Sequence, residues 1–498
     1  MVSAFIISVI LLLDLVAFIN AILIGVSLIL LIGVLDDLNE IRPRIKFAGQ
    51  ILATLGFILV SGRELYGLGN LLGIGPIDLG ILSLPFTVFC IVGVTNALNL
   101  SDGLDGLAGG IGFIATLFFT VLALEAAQWH SLAVLFCLLG CLLGFLRFNS
   151  HPASLFMGDS GSLFLGFTLG CLAVSMTVPE QGSAIAPIQL CAPLWIPIFD
   201  TLYVIVSRLA KGESPLYPDK RHLHHRLMNM GTSHYSAVSI IYGLSILLSL
   251  ACWSVRNYQD WLAFAICIAA SSIIYTFLLL AESHNFRLDS KQEFGISSYL
   301  PSRSSLVAQI GRSVKYVRFS FVILLILPAL FIIDLGRPLA MFSLPSALLI
   351  AIFYPWTGDR SRLPIASGIL FYACFLILIF YHFHTDFPQW GSTYLHILTI
   401  AAFIWCALRI VFKSKNQILL PSSFEILLFT IAWFIPIVIA SILPFSTPQR
   451  IQLFWSCFQA VPFITVIKLS MADQAKKNNW LAFMFLFLFL FMGLWAFV

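Results

Sequence analysis

Five carboxylates in the first half of this chain sit in short segments rich in Gly and Asn. Asp36 and Asp37 lie in LDDLNE, Asp102 and Asp105 in NALNLSDGLDGLAGG, and Asp159 in FMGDSGS. A single acid in a loop is usually just solvated, and Asp78 and Asp219 are read that way. Adjacent Asp36 and Asp37 differ, because two carboxylates at an apolar boundary repel unless a cation accompanies them. Carboxylate oxygens are hard ligands and suit Mg²⁺, which takes one or two of them together with substrate phosphates. Neighbouring glycines such as Gly103, Gly106 and Gly158 let the backbone approach a bulky ligand. This pattern points to metal-assisted phosphate chemistry.

The cationic side of such chemistry is also present. In Arg221-His222-Leu223-His224-His225-Arg226, three imidazoles lie between two guanidiniums. Imidazoles suit zinc, but the flanking arginines repel a cation and attract an anion, so phosphate binding is the better reading. Lys46 follows Asp37 by nine residues and, taken alone, is a snorkelling anchor. Asp200 stands inside the apolar run PLWIPIFDTLYVIVSR, eight residues before Arg208. That is ~12 Å along a helix, below the interface but near it. An intramembrane acid reads as functional, with capping of a helix broken near Pro193 and Pro197 as the plain alternative.

The elements that must position these residues follow from composition. The 498 residues include 27 Lys+Arg and 23 Asp+Glu, so 10% are charged, 60% are hydrophobic and mean hydropathy is +0.98. An ordinary soluble domain carries roughly 25% charge. These figures exclude a soluble fold, a disordered chain and a secreted disulfide scaffold. The net charge of +4 is too small to suggest a nucleic-acid partner. All ten cysteines lie in apolar runs without a CxxC pair, as small hydrophobes. No Lys or Arg precedes Arg42, so the N-terminus reads as retained span rather than signal peptide.

We expect an all-α, polytopic helical membrane protein with about 16 transmembrane spans. The first nine fall near 16–35, 44–61, 79–98, 105–127, 131–147, 161–178, 184–208, 235–254 and 260–281. Seven more fall near 319–335, 339–356, 364–381, 394–412, 421–443, 451–470 and 480–498. Residues 1–13 resemble a further span cut short, with Asp14 and Asn20 marking a turn. When the loop after the first full span is put in the cytoplasm, only Arg63, Arg256, Arg337 and Arg450 of the 27 basic residues fall outside. A missed helix would have scrambled that asymmetry. The acid clusters then share the cytoplasmic side. Three regions are expected: a membrane domain over 1–281, a cytoplasmic linker over the polar stretch 282–318, and a further helical membrane domain of unassigned role over 319–498.

Taken together, LDDLNEIRPRIKFAGQ, NALNLSDGLDGLAGG, FMGDSGSLFLGF, PIFDTLYVIVSR and DKRHLHHRL resemble the polyprenyl-phosphate N-acetylhexosamine-1-phosphate transferases. These are the bacterial membrane enzymes that initiate O-antigen, common-antigen and teichoic-acid linkage synthesis, together with the translocase that makes lipid I. The five motifs occur in the family's order over roughly residues 16–235, and the His-x-His-His pattern resembles the N-acetylglucosamine branch. The resemblance implies Asp159 as main Mg²⁺ ligand (Mn²⁺ being the alternative ion), with Asp102 and Asp105 supporting metal and nucleotide. It implies that Asp36 and Asp37 engage the polyprenyl phosphate or the metal and that Lys46 neutralises phosphate charge. His222, His224 and His225, with Arg226 beside them, would grip the donor diphosphate, and Asn96 and Asn99 match the family's paired asparagines. Members usually carry another N-terminal span and a His-Pro-Gly-Gly segment before the Asp-Asp pair. Either this start lies downstream of the true one or the variant has lost that segment.

The implied reaction moves HexNAc-1-phosphate, GlcNAc-1-phosphate by default, from a UDP-sugar donor to undecaprenyl phosphate, releasing UMP. It would initiate envelope polysaccharide synthesis in the inner (cytoplasmic) membrane of a bacterium. Membrane lipids are the expected surroundings, and homodimerisation is left open. The alternative is a transporter or flippase of lipid-linked or charged substrates, whose polar residues would sit at broken helices near the bilayer midplane.

Overall fold

A computed structural model describes residues 1–284 apart from Glu40, residues 180–182 and 215–218, and Lys220. The chain divides into two units, Met1–Lys291 and Gln292–Val498. The linker expected over 282–318, beyond its first three residues, and the domain 319–498 with its seven spans lie outside the described residues.

The first unit runs α1 (Val2–Leu12), α2 (Ala17–Asn39), α3 (Pro43–Ser61), a hairpin of β1 (Gly67–Gly69) and β2 (Ile77–Asp78), α4 (Ser83–Leu100), α5 (Leu107–Glu125), α6 (Trp129–Asn149) and α7 (Gly158–Met176). It continues through α8 (Pro187–Cys191), α9 (Trp195–Ala210), α10 (Leu223–Asn229), α11 (His234–Ser254) and α12 (Asp260–Ser283). Nine segments among the described residues are long and apolar enough to cross a membrane, at the places where nine spans were expected. This is a multi-pass, mostly helical membrane protein.

Local chemistry explains the boundaries. α3 begins at Pro43, whose missing N–H costs nothing in a first turn. It ends at Gly62 in the left-handed region (φ 67°), whose N–H reaches the Ile58 carbonyl. Three details differ from the sequence expectation. The β1–β2 hairpin, with Gly67 opposite Asp78, interrupts the all-helical pattern between α3 and α4. The span expected at 184–208 is broken into α8, a 3-10 turn at Ala192–Leu194 and α9, because Pro193 cannot continue a helical hydrogen-bond ladder. Asn20 lies in the first turn of α2 rather than in the preceding turn, donating to the Leu15 carbonyl.

α5 and α7 form the centre. Every residue of α5 from Leu107 to Ala123 is buried, as expected of a helix apolar on all sides. The hydroxyls of Thr116, Thr120 and Thr168 donate to carbonyls one turn back, so their burial leaves no unpaired donor. α2 and α4 flank α7. α1 has 11 residues, too few to span, and buries Val2, Phe5 and Val9 on one face. A Cβ at Gly33 would stand 2.3 Å from the Cα of Ser160, so only glycine lets α2 touch the first turn of α7. That contact carries Asp36 and Asp37, one turn further along α2, to the start of α7.

Candidate active site

The opening turn of α7 has backbone N–H groups without intrahelical acceptors. Asp37 supplies them from α2: Oδ1 accepts from Asp159 N at 2.8 Å and Oδ2 from Ser160 N at 3.1 Å. A Cβ on Gly158, whose φ is +65°, would lie 3.0 Å from both Asp37 oxygens, so the turn needs glycine.

Asp36 faces a different partner. Lys46 Nζ lies 2.6 Å from Asp36 and 3.1 Å from Asp159 Oδ2, linking the two carboxylates. Asp36 also accepts from Ile41 N at 2.9 Å, which folds the α2–α3 connection over the site. The other oxygen of Asp159 takes a short hydrogen bond from Asn99 Nδ2, which also donates to Ser162 at 2.9 Å. Asp159 is 35% exposed against 8% for Asp36, so of the two carboxylates on Lys46 it is the one that a ligand from solvent can reach.

Asn96, expected in binding beside Asn99, donates to Gln50 at 2.6 Å, about one turn from Asn99 in α4. Asp102 lies in the turn between α4 and α5. Burial, then the negative charges of Asp159 and Asp105, push its pKa up to about 7. The charges of Asp159 and Asp105 thus both act on Asp102, and hard carboxylate oxygens in such surroundings suit a divalent cation.

Asp105 is held in a clasp that sequence reasoning missed. Its Oδ2 meets His151 Nδ1 at 2.7 Å and accepts from Ala153 N at 3.1 Å, while its own N–H donates to His234 Nε2 at 3.1 Å. Burial alone would raise this carboxyl, but these bonds and the nearby imidazoles hold it below the ordinary range. Asp105, His151 and His234 each offer an atom within 4.8 Å of the others, a metal-like spacing. The His151 and His234 rings, however, stack face to face at 4.0 Å and 20°, and His151 Nδ1 is already bonded to Asp105. With His234 Nε2 already accepting a proton, the group is better built as a clasp than as a metal centre. Asn149 closes it, accepting from Gly106 N at 3.0 Å and donating to the Leu155 carbonyl. The available signal was position: Asn149 and His151 precede Asp159 by ten and eight residues, at the end of α6 and in the connection to α7.

The histidine segment forms the start of α10 and reaches this turn. A Cβ on Gly103 would stand 2.2 Å from His224 Nε2, so the two loops are in contact. Burial, then the charge of His225, pushes His224 down to about 4, leaving it neutral near pH 7. His225 packs its ring 4.2 Å from that of His224, and His222 Nδ1 lies 2.8 Å from Asp200. Arg226 is buried, with Glu282 at 2.7 and 2.9 Å. Asp219, expected to be merely solvated, is enclosed by Arg208 at 2.8 Å and Arg221 at 3.0 Å. Asp78 is exposed and accepts from Gly80 N.

The site therefore joins α2, α3, the α4–α5 turn, α7 and α10 at one place. The profile of glycosyl transferase family 4 matches residues 19–177, which contain four of those five elements. Over 249 residues the chain is 36% identical to a probable undecaprenyl-phosphate N-acetylglucosaminyl 1-phosphate transferase of Bacillus subtilis, covering 49% of this chain and 68% of that protein. The chain belongs to glycosyl transferase family 4. A second family 4 relative, decaprenyl-phosphate N-acetylglucosaminephosphotransferase of Mycolicibacterium smegmatis, is 39% identical over 45% of this chain and 59% of its own length. A third, undecaprenyl-phosphate alpha-N-acetylglucosaminyl 1-phosphate transferase of Yersinia pestis, is 30% identical over 49% of this chain and 68% of its own.

Proposed function

We propose that this family 4 protein is a phosphoglycosyl transferase that moves GlcNAc-1-phosphate from UDP-GlcNAc to undecaprenyl phosphate. The observation that carries the reading is Asp159, partly exposed at the start of α7 with Lys46 on one oxygen and Asn99 on the other. The names of the relatives support the donor and acceptor classes.

An oxygen of the acceptor phosphate attacks the β-phosphorus of the donor. A new P–O bond forms there, the bond to the bridging oxygen breaks, and UMP leaves. The acceptor is largely ionised near neutral pH, because a phosphate monoester has a second pKa of about 6. It needs little help from a base, so positioning and charge neutralisation do most of the catalysis. Mg²⁺, or Mn²⁺ in its place, held by Asp159 with Asp102, would neutralise the diphosphate charge. Lys46 stabilises the phosphate oxygens that crowd Asp159, and Asp36 keeps the ammonium in place. Asp37 fixes the first turn of α7, Asp105 sits beside the nucleotide end, and His222, His224, His225 and Arg226 belong to the donor loop.

The membrane location suits an acceptor whose polyprenyl tail stays in lipid while its phosphate meets a soluble nucleotide. The distribution of basic residues supports the inner membrane with the site on the cytoplasmic face. A transporter is not favoured, because the acids converge at one end of the helices. Incubating membranes with radiolabelled UDP-GlcNAc, undecaprenyl phosphate and Mg²⁺ tests the proposal. Label in the lipid phase with stoichiometric UMP is expected; uptake of donor without UMP release would replace the enzyme with a transporter.

A further inference from the structure

Asp200 lies within α9, buried, ten residues before the end of that helix. A carboxylate so placed must be compensated. Three donors meet it. Its Oδ2 lies 2.8 Å from His222 Nδ1, and its Oδ1 accepts from Leu223 N at 2.9 Å and from the Tyr275 hydroxyl at 2.6 Å. His222 and Leu223 are the residues at which α10 begins, and Tyr275 comes from α12. The acid thus ties two membrane helices to the histidine segment. Arg226, one turn along α10, stands over Tyr275 at 5.6 Å and is itself paired with Glu282.

The carboxylate can only accept, so it requires the proton of His222 on Nδ1. That leaves Nε2, which makes no hydrogen bond among the described residues, as the nitrogen available to a ligand. It can donate to a phosphate oxygen only when both ring nitrogens carry protons, a form whose charge Asp200 offsets. The parallel ring of His224 at 6.1 Å, itself against Gly103, sets His222 beside the turn that carries Asp102 and Asp105.

We propose that Asp200 is a positioning residue that orients His222 and supports its charge, so that the pair strengthens the hold on the donor's diphosphate. The inference rests on the donor assignment made above. Asp200→Asn is close to isosteric: its oxygen can keep Leu223 N and the Tyr275 hydroxyl, while its amide presents a donor to His222 Nδ1 and forces the opposite tautomer. In that tautomer Nε2 keeps a proton but the ring is neutral, so the hydrogen bond to the diphosphate loses its charge assistance, and in the full-length protein we expect the KM for UDP-GlcNAc to rise roughly tenfold. The kcat and the KM for undecaprenyl phosphate should stay within about threefold. His222→Ala should do the same, and the double variant should be no worse than His222→Ala alone, since Asp200 acts through that ring.

An unchanged donor KM in Asp200→Asn, a loss confined to kcat, or additive losses in the double variant would each overturn the proposal. Should Asp200→Asn fail to insert, Tyr275→Phe removes one support and is expected to raise the donor KM about threefold. No change there would count against the proposal equally. If wild type releases no UMP, the functional reading falls, and UDP affinities of the same variants decide for or against Asp200. A wild type that binds no UDP removes both.

Discussion

The carboxylate of Asp37, at the end of α2, caps the helix that opens at Asp159, accepting from Asp159 N at 2.8 Å and Ser160 N at 3.1 Å. One residue earlier, Asp36 points to Lys46 instead. The adjacent acids therefore have separable tasks. Asp37→Ala should cost about 1 kcal/mol of stability through the lost cap, with a fall in kcat as Asp159 loses its frame. Asn can accept from only one of the two N–H groups and turns its NH₂ on the other, so Asp37→Asn should keep part of that stability and more activity than Asp37→Ala. Thermal unfolding and UMP release, measured side by side, check this. Equal inactivity of both variants with unchanged melting temperatures would mean that Asp37 acts through its charge.

Asp159 is expected to be irreplaceable. Asp159→Asn can keep a contact with Asn99 but loses the charge that meets Lys46 and would hold the cation. Turnover should drop by at least about 100-fold, with normal insertion and elution from a sizing column. Chelation with EDTA should stop UMP release by wild type, and added Mg²⁺ or Mn²⁺ should restore it. Full activity in EDTA would leave Lys46 as the main source of positive charge at the phosphates.

Hydropathy made the first nine spans legible, and the five motifs identified most of the residues that converge. What could not be read was how neighbours within a motif divide. Asp36 and Asp37 are about 100° apart around a helix, and which one meets α7 depends on where Gly33 lets the helices touch. Asn96 and Asn99 are about one turn apart, so a single turn separates the partner of Gln50 from the partner of Asp159. Asp219 looked like a solvated loop acid because its arginine partners come from both sides of a connection whose path the sequence does not show. His151 was overlooked because a lone histidine beside a proline carries no periodic signal, and its role depends on a contact with Asp105 across the fold.

His224 makes a prediction about pH. Its folded value of about 4 lies below the ordinary 6.5, because burial and the charge of His225 disfavour the imidazolium. Between those values the unfolded chain binds a proton that the folded chain refuses. The stability present above pH 6.5 should therefore decline as pH falls towards 4, by roughly 3 kcal/mol in total. Asp105 and Asp219 are held below the ordinary carboxylate value of 3.8, so their contributions are lost at lower pH. Melting temperatures of wild type and His224→Gln between pH 7 and 4.5 test this. The variant should show the shallower slope, and identical slopes would show that His224 takes up its proton as readily in the folded chain as in the unfolded one.

The last prediction concerns the second unit. Every partner of the candidate site described above belongs to Met1–Lys291: Asp36 and Lys46 from α2 and α3, Asn99 from α4, Asp159 from α7, and the histidine segment held by Asp200 and Tyr275. Phosphoryl transfer needs convergent charged groups, and the acids and histidines of the second half, such as Asp334, His382, His384 and Glu425, are scattered in the sequence. A chain ending at Lys291 should therefore still release UMP from UDP-GlcNAc, at a rate within about tenfold of the full chain. Residues 319–498 would then serve lipid access or a partner, since apolar helices with few charges associate readily with other helices. The comparison requires matched membrane abundance and a topology check by cysteine labelling at the loops. Complete loss of UMP release from a shortened chain that inserts correctly would mean that the second unit contributes to the active site.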